Sequence, residues 1–316
     1  MNRFTSVAVI LSAGFCRRSS GILSVATGTI WSLHQLEVFV TTKTNQSVPK
    51  IAGVDQVIAV ASGKGGVGKS TVAANLAVAL QQAGHTVGLL DADIYGPSQG
   101  ALLGIPSGTR PNVVNDKLVP IEAHGLFCMS MSFLASSKTP AIWRGPMASG
   151  ALQQMLSQTA WPNLDYLIID MPPGTGDIQL TLAQQVPVSG AVIVTTPQDI
   201  ALLDARKGIE MFRKVAVPVL GLVENMSQFV CPHCGEATEI FGTGGGEAVA
   251  SEYAVPVLAR IPLAAETREK SDAGTPVAGD VRSPSKSLFA DLAGQMLTRL
   301  AGSEAPVVPV ISIVDD

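Results

Sequence analysis

The stretch Ala61-Ser62-Gly63-Lys64-Gly65-Gly66-Val67-Gly68-Lys69-Ser70-Thr71 holds the residue types that a chain of phosphates needs. Glycines at 63, 65, 66 and 68 let backbone N–H groups turn inward around oxygen, with Val67 and Thr71 completing the loop. Lys69 adds a charge for the β- and γ-phosphates, and Ser70 adds a hydroxyl for Mg2+. The spacing G-x-x-x-x-G-K-S is specific for a nucleoside triphosphate loop when a strand precedes it and a helix follows. Carboxylates stand at two other places: Asp91 and Asp93 in "LLDADIYGPS", and Asp170 at the end of "LDYLIID", with Asp177 further on. An apolar run leads into Asp170, where a carboxylate is costly unless it partners a cation, so Mg2+ is its expected partner. Asp177 reads equally well as a helix N-cap and as a nucleotide contact. The third constellation is Cys231-Pro232-His233-Cys234. It offers two soft donors where zinc or an iron–sulfur cluster wants four.

Elements that could position these groups follow from the apolar pattern. Strands are expected at 56–62, 86–93, 126–133, 164–170, 190–197, 217–226 and 255–262, and helices near 70–83, 146–159, 178–186, 200–214, 243–252 and 285–301. Short apolar runs alternating with amphipathic helices predict an α/β fold, a mostly parallel sheet with helices on both faces. In such a sheet the C-terminal ends of strands face the ligand crevice, where Asp91, Asp93 and Asp170 fall. The last helix is punctuated by Ser283 as N-cap and Pro284 at its start, by a stripe of Leu288, Leu292, Met296 and Leu300, and by Gly302 at its end.

With 316 residues, 47% hydrophobic and 15% charged, the chain can bury a full core. A net charge of -4 argues against nucleic-acid binding by phosphate neutralisation. No apolar run approaches the ~18 residues of a bilayer span. Residues 1–36 carry Arg3, Arg17 and Arg18, many Ser and Thr, and no acid before Glu37, which is transit-peptide composition. A secretory signal built on "VAVILSAGF" and a disordered tail are the competing readings. The expected division is a leader and linker over 1–50, one domain over 51–303, and a tail over 304–316 with no assignment. Four cysteines, unevenly placed, make no disulfide framework and fit a reducing compartment. Cys16 lies in the leader and Cys128 reads as a buried hydrophobe inside a strand, so Cys231 and Cys234 form an incomplete site within one chain. A symmetric dimer would bring two pairs together, holding a cluster first or zinc second, with His233 a bystander. A thiol-disulfide site lacks the surrounding thioredoxin layout.

The form K-G-G-x-G-K-S, with Lys64 ahead of Lys69, resembles the deviant phosphate loop (Walker A variant) of the nitrogenase-iron-protein, cell-division and chromosome-partition ATPases. In that class the early lysine reaches across a homodimer into the partner's nucleotide, and the resemblance implies the same for Lys64. Such a lysine supplies the transition-state charge that an arginine finger gives elsewhere. The resemblance further implies that Asp91 and Asp93 belong to the first switch, with Asp91 near Mg2+ and Asp93 placing the attacking water. Asp170 becomes the Walker B acid, "PPGTGD" the second switch, and Asn225 a partner of adenine. With "WRGPM", "VTTPQDIALLDARKG", "GLVENMS", "CPHCG" and "IFGTGGG" included, the chain resembles the Mrp/Nbp-type branch over residues 54 to about 300. That branch carries iron–sulfur clusters. The implied activity is transfer of a [4Fe–4S] cluster to apo-proteins, with ATP and Mg2+, slow hydrolysis and a homodimer bridged through Cys231 and Cys234. Lacking an N-terminal four-cysteine cluster and an extra N-terminal domain, the chain is similar to the family's mitochondrial members. This implies the mitochondrial matrix, respiratory complex I subunits as clients, and at most a peripheral contact with the inner membrane. The alternative is a positioning or partition ATPase with a zinc-bridged dimer, which calls for a basic amphipathic terminal helix or a basic surface. The tail "APVVPVISIVDD" is acidic-ended and broken by proline.

Overall fold

In the first strand, β1 (Val54–Ala61), Val57, Ala59 and Ala61 join one apolar layer while Ile58 and Val60 join the other. A strand that buries both faces belongs in the middle of a covered sheet. The computed structural model describes residues 50–134 and 145–302, all within one compact unit. The expected leader, Cys16, Arg144 of "WRGPM" and the tail lie outside the described residues.

After β1 come α1 (Lys69–Gln82), β2 (Val87–Asp91), α2 (Gln99–Leu102), β3 (Val113–Val114), β4 (Lys117–Leu118), β5 (Ile121–Ala123) and β6 (Leu126–Ser130). They are followed by α3 (Gly145–Gln158), β7 (Leu164–Asp170), α4 (Asp177–Gln185), β8 (Gly190–Thr195), α5 (Asp199–Lys214) and β9 (Val219–Val230). The chain continues through β10 (Ala237–Thr238), α6 (Gly245–Glu252), β11 (Val257–Leu263), α7 (Ala265–Asp272) and α8 (Ser285–Gly302). Among the described residues nine strands form one sheet: β9, β8, β1, β7, β2 and β6 are neighbours in parallel, β11 adds in parallel to β9, and β5 and β10 add antiparallel to β6 and β9. Helices α1 and α8 bury one face through Leu76, Leu80, Phe289, Leu292 and Met296. Helices α3, α4, α5 and α6 bury the other through Leu152, Leu182, Phe212 and Val249. The α/β architecture with both faces covered is as expected.

Differences from the expected elements have local causes. Strand β2 stops at Asp91 because that side chain turns back onto the chain, accepting from Asp93 N–H at 3.1 Å. Strand β6 gives way at Ser130 to a 3-10 turn, Met131–Phe133, because Ser130 Oγ accepts from Ser132 N–H at 3.1 Å. Strand β9 runs past the expected end at residue 226 to Val230. Helix α7 buries no residue and leaves no apolar stripe to read; an Arg268–Asp272 pair at 2.8 Å spans one of its turns. Ser283 Oγ accepts from Ser285 N–H at 3.2 Å, which starts α8 where the Ser-Pro pair indicates. Among the described residues no helix is long and apolar enough to cross a membrane.

Candidate functional site

Strand register gathers the charged groups. Val60 of β1 lies beside Asp170 of β7, and Asp170 lies beside Asp91 of β2, so the three strands end at one edge with the glycine-rich loop above them. In that loop Gly66 and Gly68 both hold φ at 82°, which an ordinary side chain would strain. A Cβ on Gly68 would stand 2.2 Å from Asn225 Nδ2, and one on Gly63 would stand 2.0 Å from the Asp204 carbonyl of α5. Glycine is therefore demanded at both positions by close approach. Helix α1 starts at Lys69 and presents its N-terminal N–H groups to the loop.

Lys69 and Asp170 are both buried, and Lys69 Nζ donates to Asp170 Oδ1. Lys69 Nζ also reaches Ser70 Oγ at 3.2 Å. The other oxygen of Asp170 accepts from Gln99 Nε2 at 2.7 Å, and the same amide reaches the Ser70 carbonyl at 3.0 Å. Gln99 is a site residue that the sequence pattern did not reveal: a glutamine carries no signature, and α2 is too short to show a period. Asp91 is fully buried and accepts from Ser98 N–H, Gln99 N–H and Ser130 Oγ at 2.9, 3.0 and 3.2 Å. Burial, and then the neighbouring Asp170 charge, push its pKa up to about 7. Asp93 is half-buried and accepts from Gly96 N–H at 3.1 Å. Asp177 is exposed in the first turn of α4, whose N-cap is Gly176. Gln179 of the same helix donates to the Pro172 carbonyl, and Gly174 N–H donates to the Ser62 carbonyl at 3.1 Å, tying the segment after Asp170 to the phosphate loop.

Beside the loop opens a cavity of about 310 Å³ whose lining includes Gly68, Thr71, Asn225, Pro262, Thr267 and Arg268. Asn225 is buried, and its Nδ2 donates to the Val67 carbonyl at 2.8 Å, so it braces the loop from the cavity wall. The Thr267 hydroxyl oxygen is buried without a partner, as are Ser98 Oγ, Gln99 Oε1 and Gln179 Oε1. Orphaned polar atoms of this kind, next to a glycine loop and a pocket, fit a nucleotide with its cation. Lys64 is half-buried and makes no ion pair among the described residues.

Cys231 and Cys234 lie on a hairpin at the end of β9. Val230 pairs with Ala237, Cys231 N–H donates to the Glu236 carbonyl at 2.9 Å, and Gly235 turns the chain at φ 75°. The backbone N–H groups of Cys234 and His233 and the Cys234 thiol all donate to Cys231 Sγ and hold its pKa below the ordinary value. Cys128, by contrast, is buried and pushed up to about 12. Among the described residues no three His, Cys, Asp or Glu side chains gather as a metal cage. The cysteine pair stands as two donors.

A family model described as NUBPL iron-transfer P-loop NTPase matches residues 53–297. The chain belongs to this family. It is 62% identical over 253 residues to an iron-sulfur cluster carrier protein of Pseudomonas fragi, covering 79% of this chain and 88% of that one. The iron-sulfur cluster carrier protein of Escherichia coli K12 is 52% identical over 272 residues, covering 85% and 73%. Among solved structures, the nucleotide-binding protein of Archaeoglobus fulgidus in complex with ADP superposes with a TM-score of 0.64 at 40% identity, over 73% of this chain and 91% of that one. The cell division ATPase MinD of Pyrococcus furiosus shares the fold, with a TM-score of 0.59 at 23% identity over 77% and 98%. These relatives overturn the expected mitochondrial matrix location. Relatives at 52–62% identity are bacterial iron-sulfur cluster carrier proteins, which points to a cytoplasmic rather than a mitochondrial protein. An Arg- and Ser-rich, acid-poor N-terminus is a property of composition, and composition of that kind is not confined to leaders.

Two outcomes follow from this geometry. Gln99→Ala removes the donor that fixes the free oxygen of Asp170, and the Mg2+ concentration needed for half-maximal nucleotide binding is expected to rise about 10-fold or more, measured by titration with a fluorescent nucleotide. For Cys231, a lowered pKa means that thiolate is present at lower pH than for an ordinary thiol, so its alkylation rate should rise with a midpoint below 9.0 while Cys128 stays unreacted in the folded protein. Mass spectrometry of alkylated peptides over a pH series reads both.

Proposed function

We propose that this chain is an ATP-binding iron–sulfur cluster carrier that, as a homodimer, holds a [4Fe–4S] cluster on Cys231 and Cys234 and passes it to apo-proteins. The observation that carries the reading is the hairpin: two thiols, one already acidified by backbone N–H groups, with no third donor of their own chain among the described residues. Two copies supply the four thiolates that such a cluster takes. Support comes also from the family membership and from relatives named as cluster carriers. The recipients are apo-proteins that accept the cluster. Complex I subunits as clients rested on the mitochondrial placement and have no separate support. A partition-type role with a zinc-bridged dimer draws no support from the relatives, which are named as cluster carriers, and the likeness to MinD is one of fold.

Midway along β9, at Asn225, the phosphate loop takes the triphosphate and the cavity beside it takes the nucleoside. Bound Mg2+, held by Ser70 and Asp170 with Asp91 behind them, would offset phosphate charge. Lys69 must leave Asp170 to reach the phosphates, and that same movement frees the Asp170 carboxylate. Asp93 stands at the loop edge to orient the attacking water. Lys64 reaches the nucleotide of the second copy, so hydrolysis is slow until two chains meet.

Anaerobic reconstitution with iron and sulfide tests the carrier reading: about four irons per two chains are expected, in a dimer. Cys231→Ala and Cys234→Ala should lose the iron and keep nucleotide binding. A monomer holding a complete cluster, or a protein that takes only zinc, would overturn it. Lys64→Ala should lower the hydrolysis rate about 100-fold with ATP affinity nearly unchanged. Unchanged turnover in that variant would refute the cross-dimer role.

A further inference from the structure

Met226 is the anomaly of β9. Its φ is 56°, in the left-handed region, where a side chain other than glycine is strained. Pairing with β11 slips at the same place: Asn225 lies beside Ile261 and Phe229 beside Leu263, so β9 takes four steps where β11 takes two. That is a bulge. Both of its flanks are fastened. On one side Asn225 Nδ2 holds the Val67 carbonyl at 2.8 Å, with Gly68 pressed against it. On the other, Phe229 is paired with Thr238 and Leu263, and Val230 with Ala237, immediately before Cys231. One continuous strand thus joins the phosphate loop to the thiol pair, with a strained residue between them.

Resting on the nucleotide and metal sites proposed above, we infer that Met226 is a positioning residue that transmits the state of the phosphate loop to Cys231 and Cys234. A strained backbone persists only while its surroundings over-determine it. Whatever draws Asn225 away from Val67 loosens one of the two fastenings, and Met226 then relaxes toward the extended region. Because the bulge sets the direction of the strand beyond it, this relaxation turns Phe229, Val230 and the hairpin that carries both thiols. Glycine rests comfortably in either region, so a glycine at 226 would break the link. Alanine keeps the Cβ and with it the bias.

The experiment uses the full chain without cluster. Alkylation of Cys231 and Cys234 by iodoacetamide is followed at one pH, with and without Mg2+ and a saturating non-hydrolysable ATP analogue. In the unaltered protein the nucleotide should change the rate by about five-fold or more. Met226→Ala should keep that change, and Met226→Gly should lose it, to within about two-fold, while still binding the analogue. Both variants lack the thioether, so loss of its packing is common to them and cannot produce the difference. The inference is overturned if Met226→Gly responds like the unaltered protein, or if Met226→Ala loses the response as fully as Met226→Gly. A response absent already in the unaltered protein, with the analogue bound, would instead bring down nucleotide control of the metal site, and this inference with it.

Discussion

Lys69 and Asp170 are buried together at the end of the central strands, and neither charge can be left alone there. The surrounding site is arranged around that constraint. Gln99 occupies the second oxygen of Asp170, the Ser70 hydroxyl sits within reach of the ammonium, and Asp91, kept from ionising freely by its burial and then by the Asp170 charge, is clasped by the N-terminus of α2. Breaking the pair without replacing both partners would cost about 3–5 kcal/mol. A nucleotide with its Mg2+ is the kind of ligand that replaces both at once, an anion for the lysine and a cation for the aspartate. Phosphate alone would strand the carboxylate. The ion pair therefore sets what can enter.

A second constraint of the same kind operates at the hairpin. Backbone N–H groups converging on Cys231 Sγ stabilise a thiolate, and a thiolate on an exposed turn is a reactive group in want of a metal. Two such sulfurs cannot enclose a cluster. In the proposed homodimer symmetry would meet the shortage, and a shared cargo at a seam between two copies is easier to release than one enclosed by a single fold. The exposed apolar residues Val230 and Ile240 on either side of the hairpin suit a surface that is covered when two copies meet.

The central strands were legible in the sequence because burial on both faces makes them near-continuous apolar runs. The phosphate loop was legible because its glycines answer a steric demand that few other arrangements make. Asp91 and Asp170 could be placed at strand ends by counting alone. What the Asp91 carboxylate binds could not, because its partners are backbone groups of α2, a helix of one turn with no periodicity. Helix α7 escaped for the opposite reason, being polar on every side. Gln99 and Met226 were invisible as types: glutamine is an ordinary surface residue, and methionine gives no hint of a left-handed backbone. The N-terminal composition misled about location, since charge and hydroxyl content describe a class of segments and not a destination.

Strand β9 shows how one element can serve two sites. Alternation places Glu224 and Asn225 on opposite faces of the sheet. Asn225 holds the phosphate loop, while Glu224, buried on the other side, accepts from Gly246 N–H at 2.7 Å and lies 3.6 Å from Arg260. A Cβ on Gly246 would stand 2.5 Å from the Glu224 carboxylate, so that glycine is required for the helix to come so close. The N-terminus of α6, after its glycine-rich run, is already filled by the chain's own Glu224 carboxylate. Glu224 is thus fastened to α6 and Asn225 to the phosphate loop, so a change in the loop reaches this strand through Asn225. From there the change passes toward the cysteines through the residues after 225, where the pairing slips and the backbone is strained.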